Sequence, residues 1–367
     1  MKGFERAMSY TLSDKTASLK PYSPNEGVYR IRLDANESFL LPTESDRDAM
    51  GQVIAELDLR RYPDPLAAEV CGAFAALYGL DPAMVTAGNG SDELISVIMS
   101  VFLQKGEKVL TVSPDFSMYR FYTDITENPC VVLKKKDDLT IDVDRVIETI
   151  NNEQIRLFIF SNPCNPTSLG LDRKSVRRII RETSALIVLD EAYMDFWDQS
   201  LLDEVAEYDN LIILRTASKA LGLAAVRLGF AVANETLTGI LRAAKSPYNV
   251  NSATQAIATI ALSNPLYKEV YIDLLVQSRK QLSDGLAPLV QKGYIRKLYE
   301  SCTNFVLIEL DDAEYFWEEL ADFGIVVRLL GENRLRITAG TEAENKEVIA
   351  GIASIARHRE QEAEGTL

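Results

Sequence analysis

Five continuous runs of apolar and β-branched residues mark the first two-thirds of the chain: Lys108–Val112, Arg156–Phe160, Ala185–Asp190, Leu211–Arg215 and Arg227–Ala233. Runs that do not alternate with polar positions read as strands buried on both faces. Between the first four lie segments long enough for a crossover helix, as in βαβ units, whereas the fourth and fifth are closer together. The pattern predicts a mostly parallel sheet covered by helices on both faces. From about Asn251 it changes to a long helix-prone stretch ending near Lys292, followed by strands at Asn304–Leu310 and Arg334–Gly340 with a helix between them. The expected architecture is therefore α/β. A large domain over residues 36–250 is joined by a smaller α+β domain built from residues 1–35 and 251–367. No internal repeat or low-complexity segment shows.

Composition narrows the chemistry. The 367 residues carry a formal net charge of −15, and the only basic block is Lys134, Lys135 and Lys136, which argues against a nucleic-acid footprint and reads as a solvated loop. The N-terminus lacks the apolar core of a signal peptide, and no apolar run is long enough to span a bilayer, so a soluble, cytoplasmic protein is expected. Four scattered cysteines, Cys71, Cys130, Cys164 and Cys302, form no C-x-x-C pair and suit free thiols in a reducing compartment. The single histidine, His358, lies in a charged C-terminal segment. Serine–histidine hydrolysis and histidine-bearing metal sites are thereby set aside.

Ligands of open α/β sheets bind beyond the carboxyl ends of the strands. Those ends are polar here. After Phe160 come Ser161 to Thr167; at the end of the third run stand Asp190, Glu191 and Tyr193; after Leu214 come Arg215, Thr216, Ser218 and Lys219. Earlier, Thr86 to Phe102 reads as a glycine-bearing turn entering an apolar helix, with Ser91 or Asp92 at the N-cap and free N–H groups suited to a phosphate. Taken singly, each feature has a plain reading: a capped helix, a loop-capping acid, an Asn-Pro turn, a snorkelling lysine. Their convergence on one sheet edge favours a site. A lysine without acidic neighbours in an apolar pocket loses proton affinity and becomes a nucleophile for an aldehyde. Pyridoxal 5′-phosphate (PLP) is the aldehyde whose other needs match: a carboxylate for its ring nitrogen, donors for its phenolic oxygen, and a helix terminus, hydroxyls and an arginine for its phosphate.

The ordered motifs GNGSDE, NPCNPT, DEAY and TASKALGLAAVRLGF, with KPYSP, LDANES, RYPDP, SPDFSMY, VVRLL and LRITAGT in the same order, resemble the fold-type I PLP-dependent aminotransferases. Within them the chain is similar to the branch that acts on histidinol phosphate. The resemblance covers nearly the whole chain and implies the three-layer PLP-dependent transferase fold. It also implies roles. Lys219 would hold PLP as a Schiff base and then move the proton; Asp190 would pair the pyridine nitrogen; Tyr193 and Asn165 would hold the phenolic oxygen. Ser91, Asp92, Thr216, Ser218 and Arg227 would hold the phosphate, Phe116 would cover the ring, and Tyr62 would reach the partner's cofactor in a homodimer. Arg336, Arg328, Tyr22 and Asn36 would meet the small-molecule substrates, histidinol phosphate and 2-oxoglutarate. The sequence departs from the family at Ser168, where a glycine is common. Three alternatives stay open: an aromatic amino-acid aminotransferase, a threonine-phosphate decarboxylase-like lyase, and a non-catalytic ligand-binding module.

Overall fold

The computed structural model describes residues 10–19, 21, 25, 27–331 and 333–365. Twelve strands form two sheets: β1 (Ile31–Leu33), β2 (Val85–Gly88), β3 (Lys108–Ser113), β4 (Cys130–Lys134), β5 (Ile155–Ser161), β6 (Leu186–Asp190), β7 (Leu211–Thr216), β8 (Gly229–Ala233), β9 (Lys297–Leu298), β10 (Phe305–Glu309), β11 (Ile325–Leu330) and β12 (Arg334–Thr338). The larger sheet runs β2-β8-β7-β6-β5-β3-β4. Its pairs are parallel from β7 through β4, and β8 is antiparallel to both β7 and β2. The expected mostly parallel sheet is present.

Burial explains the unbroken apolar runs. Alternate residues of the central strands enter separate cores: Phe158, Phe160, Ile187, Leu189, Leu211 and Ile213 face one, and Leu157, Ile159, Val188, Ile212 and Leu214 the other. Each buried side chain of this size contributes about 1.5–3 kcal/mol. Two such layers offset the cost of a polar edge. The edge strand β4, an apolar Cys130–Leu133 run that is only partly buried, and the short β2 are additions to the strands expected from the sequence. Strand β8 begins at Gly229 rather than Arg227, because Arg227 turns the chain in a left-handed conformation (φ 56°) just before it.

The smaller sheet is ordered β1-β11-β12-β10-β9. Strand β1 pairs in parallel with β11, so Ile31 and Leu33 join the small-domain core, as the sequence suggested for this stretch. Beyond residue 250 the helices divide between the two cores. The helix Ser252–Ser263 packs on the helices Glu44–Ala55 and Ala68–Tyr78, and its Ala258, Ala261 and Leu262 belong to the large-domain core. The small-domain core starts at Leu282, inside the helix Ile272–Gln291. Helical periodicity marks an apolar face but not which core receives it. Among the described residues, no helix is long and apolar enough to cross a membrane.

Candidate active site

The carboxyl ends of β2, β5, β6 and β7 share one edge with the start of β8. In register, Gly229 lies opposite both Gly88 of β2 and Thr216 of β7. A Cβ on Gly229 would stand 2.3 Å from the Ser91 nitrogen, so only glycine lets the helix Ser91–Phe102 dock its N-terminus on this edge. The N-cap is Gly90 (φ 82°), not Ser91 or Asp92 as the sequence suggested; these two are the first helical residues. No side chain caps the turn, and a Cβ on Gly90 would meet Arg227 Nη2 at 2.8 Å. Glycines at 90 and 229 thus leave a cradle of backbone N–H groups beside a guanidinium, which lies 3.9 Å from the Asp92 carboxylate. Such a cradle suits a phosphate. Thr216 and Ser218 line the neighbouring strand end, both largely buried, with the Ser218 N–H donating to Thr216 Oγ1 at 3.1 Å.

Asp190 closes β6 and is 4 % exposed. Burial pushes its carboxyl up to about 7, against the opposing effect of two donors: the Tyr119 hydroxyl at 2.7 Å and the Ala192 N–H at 3.1 Å. Tyr119, itself 1 % exposed, is kept protonated by burial and was not singled out from the sequence. Its signal was its place three residues beyond Phe116, with which it makes an edge contact (centroids 5.5 Å apart).

Lys219 follows the end of β7 by three residues. Its Nζ donates to the Ala35 carbonyl at 2.9 Å and lies 5.9 Å from the centre of the Tyr193 ring. Burial, and after it Arg336, pull the ammonium down to about 8 against the opposing effect of Glu37. The residue keeps partial surface access although protein packs densely around the amine.

Tyr193 is buried, and its hydroxyl accepts from Asn36 Nδ2 at 2.8 Å. Asn36, expected among the substrate contacts, is 1 % exposed and held by Thr338 through both its N–H (3.0 Å) and its Oδ1 (3.2 Å). It also orients the Tyr193 hydroxyl. Asn165 Oδ1 accepts from Arg336 Nη1 at 2.5 Å, and Arg336 also donates to the Asp34 carbonyl and lies over the Phe305 ring. Arg328 stands directly across from Arg336 in the antiparallel β11–β12 pair. Ser168 adopts the left-handed conformation (φ 64°) that a glycine would take without strain, and its hydroxyl donates to the Glu300 carbonyl at 2.6 Å. Asn165 keeps its place in that turn. Tyr62 is 81 % exposed and stacks on Tyr248. Tyr22 lies outside the described residues.

The edge therefore offers an amine of lowered proton affinity, a buried carboxyl, a phosphate-sized cradle and an arginine pair. Over residues 30–352 the chain matches the family described as aminotransferase class I and II. The chain belongs to the class I and II aminotransferases. This aminotransferase is 40 % identical to the histidinol-phosphate aminotransferase of Clostridium novyi over 90 % of its own length and 93 % of that protein's. It is 39 % identical to that of Clostridium kluyveri, covering 91 % and 95 %. Its fold is also that of the histidinol-phosphate aminotransferase from Sinorhizobium meliloti, solved in complex with pyridoxal-5′-phosphate. That match has a TM-score of 0.86 at 24 % identity and covers 96 % and 100 % of the two chains. The L-threonine-O-3-phosphate decarboxylase from Porphyromonas gingivalis shares the fold as well (TM-score 0.74, 21 % identity, covering 89 % and 99 %). Fold alone does not separate transferase from lyase.

Proposed function

We propose that this aminotransferase exchanges the amino group between L-histidinol phosphate and 2-oxoglutarate in histidine biosynthesis, with imidazole-acetol phosphate and glutamate as products. It does so with PLP, as a cytoplasmic homodimer. The observation that carries this reading is the arginine pair at the lysine. Like charges directly opposite on neighbouring strands repel, and an anionic end group between Arg328 and Arg336 would relieve the repulsion while Arg336 holds Lys219's proton affinity down. A phosphate or a carboxylate fits such a fork. The names of the curated relatives favour the phosphate of histidinol phosphate.

Bound PLP supplies an electron sink conjugated to the substrate's Cα. The chain's own groups do the rest. Asp190 keeps a proton on the ring nitrogen, because a cation facing a buried carboxyl favours its ionised form. Tyr193 accepts from Asn36 and so has its own hydroxyl proton free for the phenolic oxygen. Asn165 accepts from Arg336, which leaves its amide N–H groups as donors to the same oxygen. The first turn of the helix Ser91–Phe102, with Ser91, Asp92, Thr216, Ser218 and Arg227, holds the phosphate. Phe116 covers one ring face. Lys219 Nζ would hold the cofactor by its aldehyde and would serve as the base for the substrate's Cα proton. Tyr62, exposed in the single chain, reaches the partner's cofactor phosphate.

Rapid mixing of the PLP-loaded protein with histidinol phosphate, aromatic amino acids and threonine phosphate tests the reading. A fast shift to pyridoxamine absorbance with histidinol phosphate alone is expected. A shift only with an aromatic amino acid would replace the substrate, and carbon dioxide release from threonine phosphate would replace the reaction.

A further inference from the structure

Lys135 does not behave as the solvated middle of a lysine run. Lys134 ends β4 and Lys136 pairs with Asp142 at 3.6 Å, but Lys135 turns inward and places its Nζ 3.0 Å from Cys164 Sγ. Asp115 completes the cluster, with its Oδ1 3.7 Å from the same sulfur. Asp115 also accepts from the Phe116 N–H at 2.7 Å, the Ser161 N–H at 3.2 Å and the Ser161 hydroxyl. Cys164 is 2 % exposed and directly precedes Asn165, whose N–H donates at 3.3 Å to the Ser161 hydroxyl that Asp115 holds.

The Lys135 ammonium stands at hydrogen-bond distance from the Cys164 sulfur, and the thiolate is the form of a cysteine that reacts with peroxides. Burial alone would lower Lys135's proton affinity, yet the contacts with Cys164 and Asp115 outweigh it and raise the ammonium. The other cysteines differ: burial pushes the thiols of Cys130 and Cys302 up, and that of Cys71 up to about 11. The near absence of exposed surface at Cys164 excludes bulky reagents and leaves hydrogen peroxide, which is little larger than water.

We propose that Lys135 and Cys164 form a peroxide-driven covalent cross-link, a sulfenamide joining Nζ to Sγ. In the first step the Cys164 thiolate attacks one oxygen of hydrogen peroxide, the O–O bond breaks, and the departing hydroxide takes a proton from the Lys135 ammonium. Cys164 is left as a sulfenic acid and Lys135 as a neutral amine. In the second step that amine attacks the sulfur, the S–O bond breaks and water leaves, forming S–N. One peroxide is reduced to two waters, and the thiol and ammonium pair is oxidised by two electrons. Amine and sulfur already stand within the roughly 3–3.5 Å separation of a near-attack arrangement. A thiol reductant reverses the bond. Once formed, it removes the cation from Asp115 and pulls on the residue next to Asn165.

The test treats the PLP-loaded protein with hydrogen peroxide, digests it without reductant and maps the peptides by mass spectrometry. A joined pair containing residues 135 and 164 is expected, lighter than the two separate peptides by two hydrogens and separated again by dithiothreitol. Lys135→Arg, which keeps the cation but loses the nucleophilic amine, is expected to show a Cys164 peptide heavier by added oxygen and no joined pair. Separate peptides from the wild type, whether Cys164 is untouched or carries added oxygen, would overturn the proposal. So would a joined pair linking Cys164 to any residue other than Lys135. Because the readout is a mass and not turnover, its failure leaves the substrate assignment untouched.

Discussion

Asp190 and Glu191 are adjacent in sequence, and Arg215 and Lys219 lie four residues apart, yet they occupy opposite electrostatic settings. Glu191, with no exposed surface, receives Arg215 at 3.0 Å, Ser200 at 2.6 Å and the Leu201 N–H at 3.2 Å. Arg215 also pairs with Asp195, which accepts from Tyr78 at 2.8 Å, and its guanidinium lies 4.8 Å from the centre of the Tyr78 ring. Every charge there has a partner. Asp190 and Lys219 have neutral donors and acceptors for company, and among the described residues neither forms an ion pair. Asp190 is nearly as buried as Glu191 and Arg215 while Lys219 keeps some exposure, so pairing is what separates the two carboxyls. Paired buried charges stay ionised and brace the strand ends; unpaired ones shift toward neutrality and are available for proton transfer. Glu37 and Asp92 act on the lysine of the TASK stretch only at a distance; a carboxylate paired with it would restore it to an ordinary ammonium.

Exchanging single residues should break this contrast in opposite ways. Lys219→Ala is expected to lower turnover by roughly 10²–10⁴-fold or more while the thermal unfolding midpoint barely moves, as steady-state rates and circular dichroism melts would record. Arg215→Met should do the reverse at the level of stability. Leaving Glu191 and Asp195 buried without their cation costs about 3–5 kcal/mol, read as a lower urea midpoint; an unchanged midpoint would mean the cluster braces nothing. Arg336→Gln sharpens the picture of Lys219. The wild-type apoprotein should capture free PLP with a rate that rises through a midpoint near about 8. Removing the neighbouring positive charge favours the ammonium, so the midpoint should move up toward the ordinary lysine value. The smallest effect belongs to Tyr119→Phe. Losing one donor raises the Asp190 carboxyl above its present value of about 7, and at roughly 0.5–1.5 kcal/mol for the bond the rate should fall about two- to tenfold. An upward shift of the acid limb of the pH–rate profile would accompany it.

The paired and unpaired regions were not equally legible in the sequence. Strand ends could be read because an apolar run buried on both faces stops abruptly at Ser161, Asp190 and Thr216, which placed Lys219, Asp190 and Asn165 on one edge. What Arg215 and Glu191 do for each other could not be read, since their pairing spans neighbouring strands. The Asn36 contacts and the place of Tyr119 escaped for the same reason: one is fixed by Thr338 from β12 and the other reaches Asp190 from a helix that follows β3. Lys135 was hidden by its charged neighbours, because side-chain direction alternates along a strand end and composition does not. The N-cap was misplaced by one residue because Gly90 serves it by backbone conformation and not by a side-chain oxygen. Local pattern carried the scaffold; long-range contact decided which polar groups act and which only hold.

The central claim is that the unpaired lysine at the β7 end, and not another buried lysine, performs the chemistry. Lys245 is the natural competitor, since it is 7 % exposed and burial lowers its proton affinity too, although its Nζ donates to the Pro65 carbonyl at 2.7 Å and to Asn249 at 2.8 Å. Borohydride reduction of the PLP-loaded protein, followed by peptide mapping, distinguishes the two. The pyridoxyl group is expected on Lys219; finding it on Lys245 or on any other lysine would contradict the account.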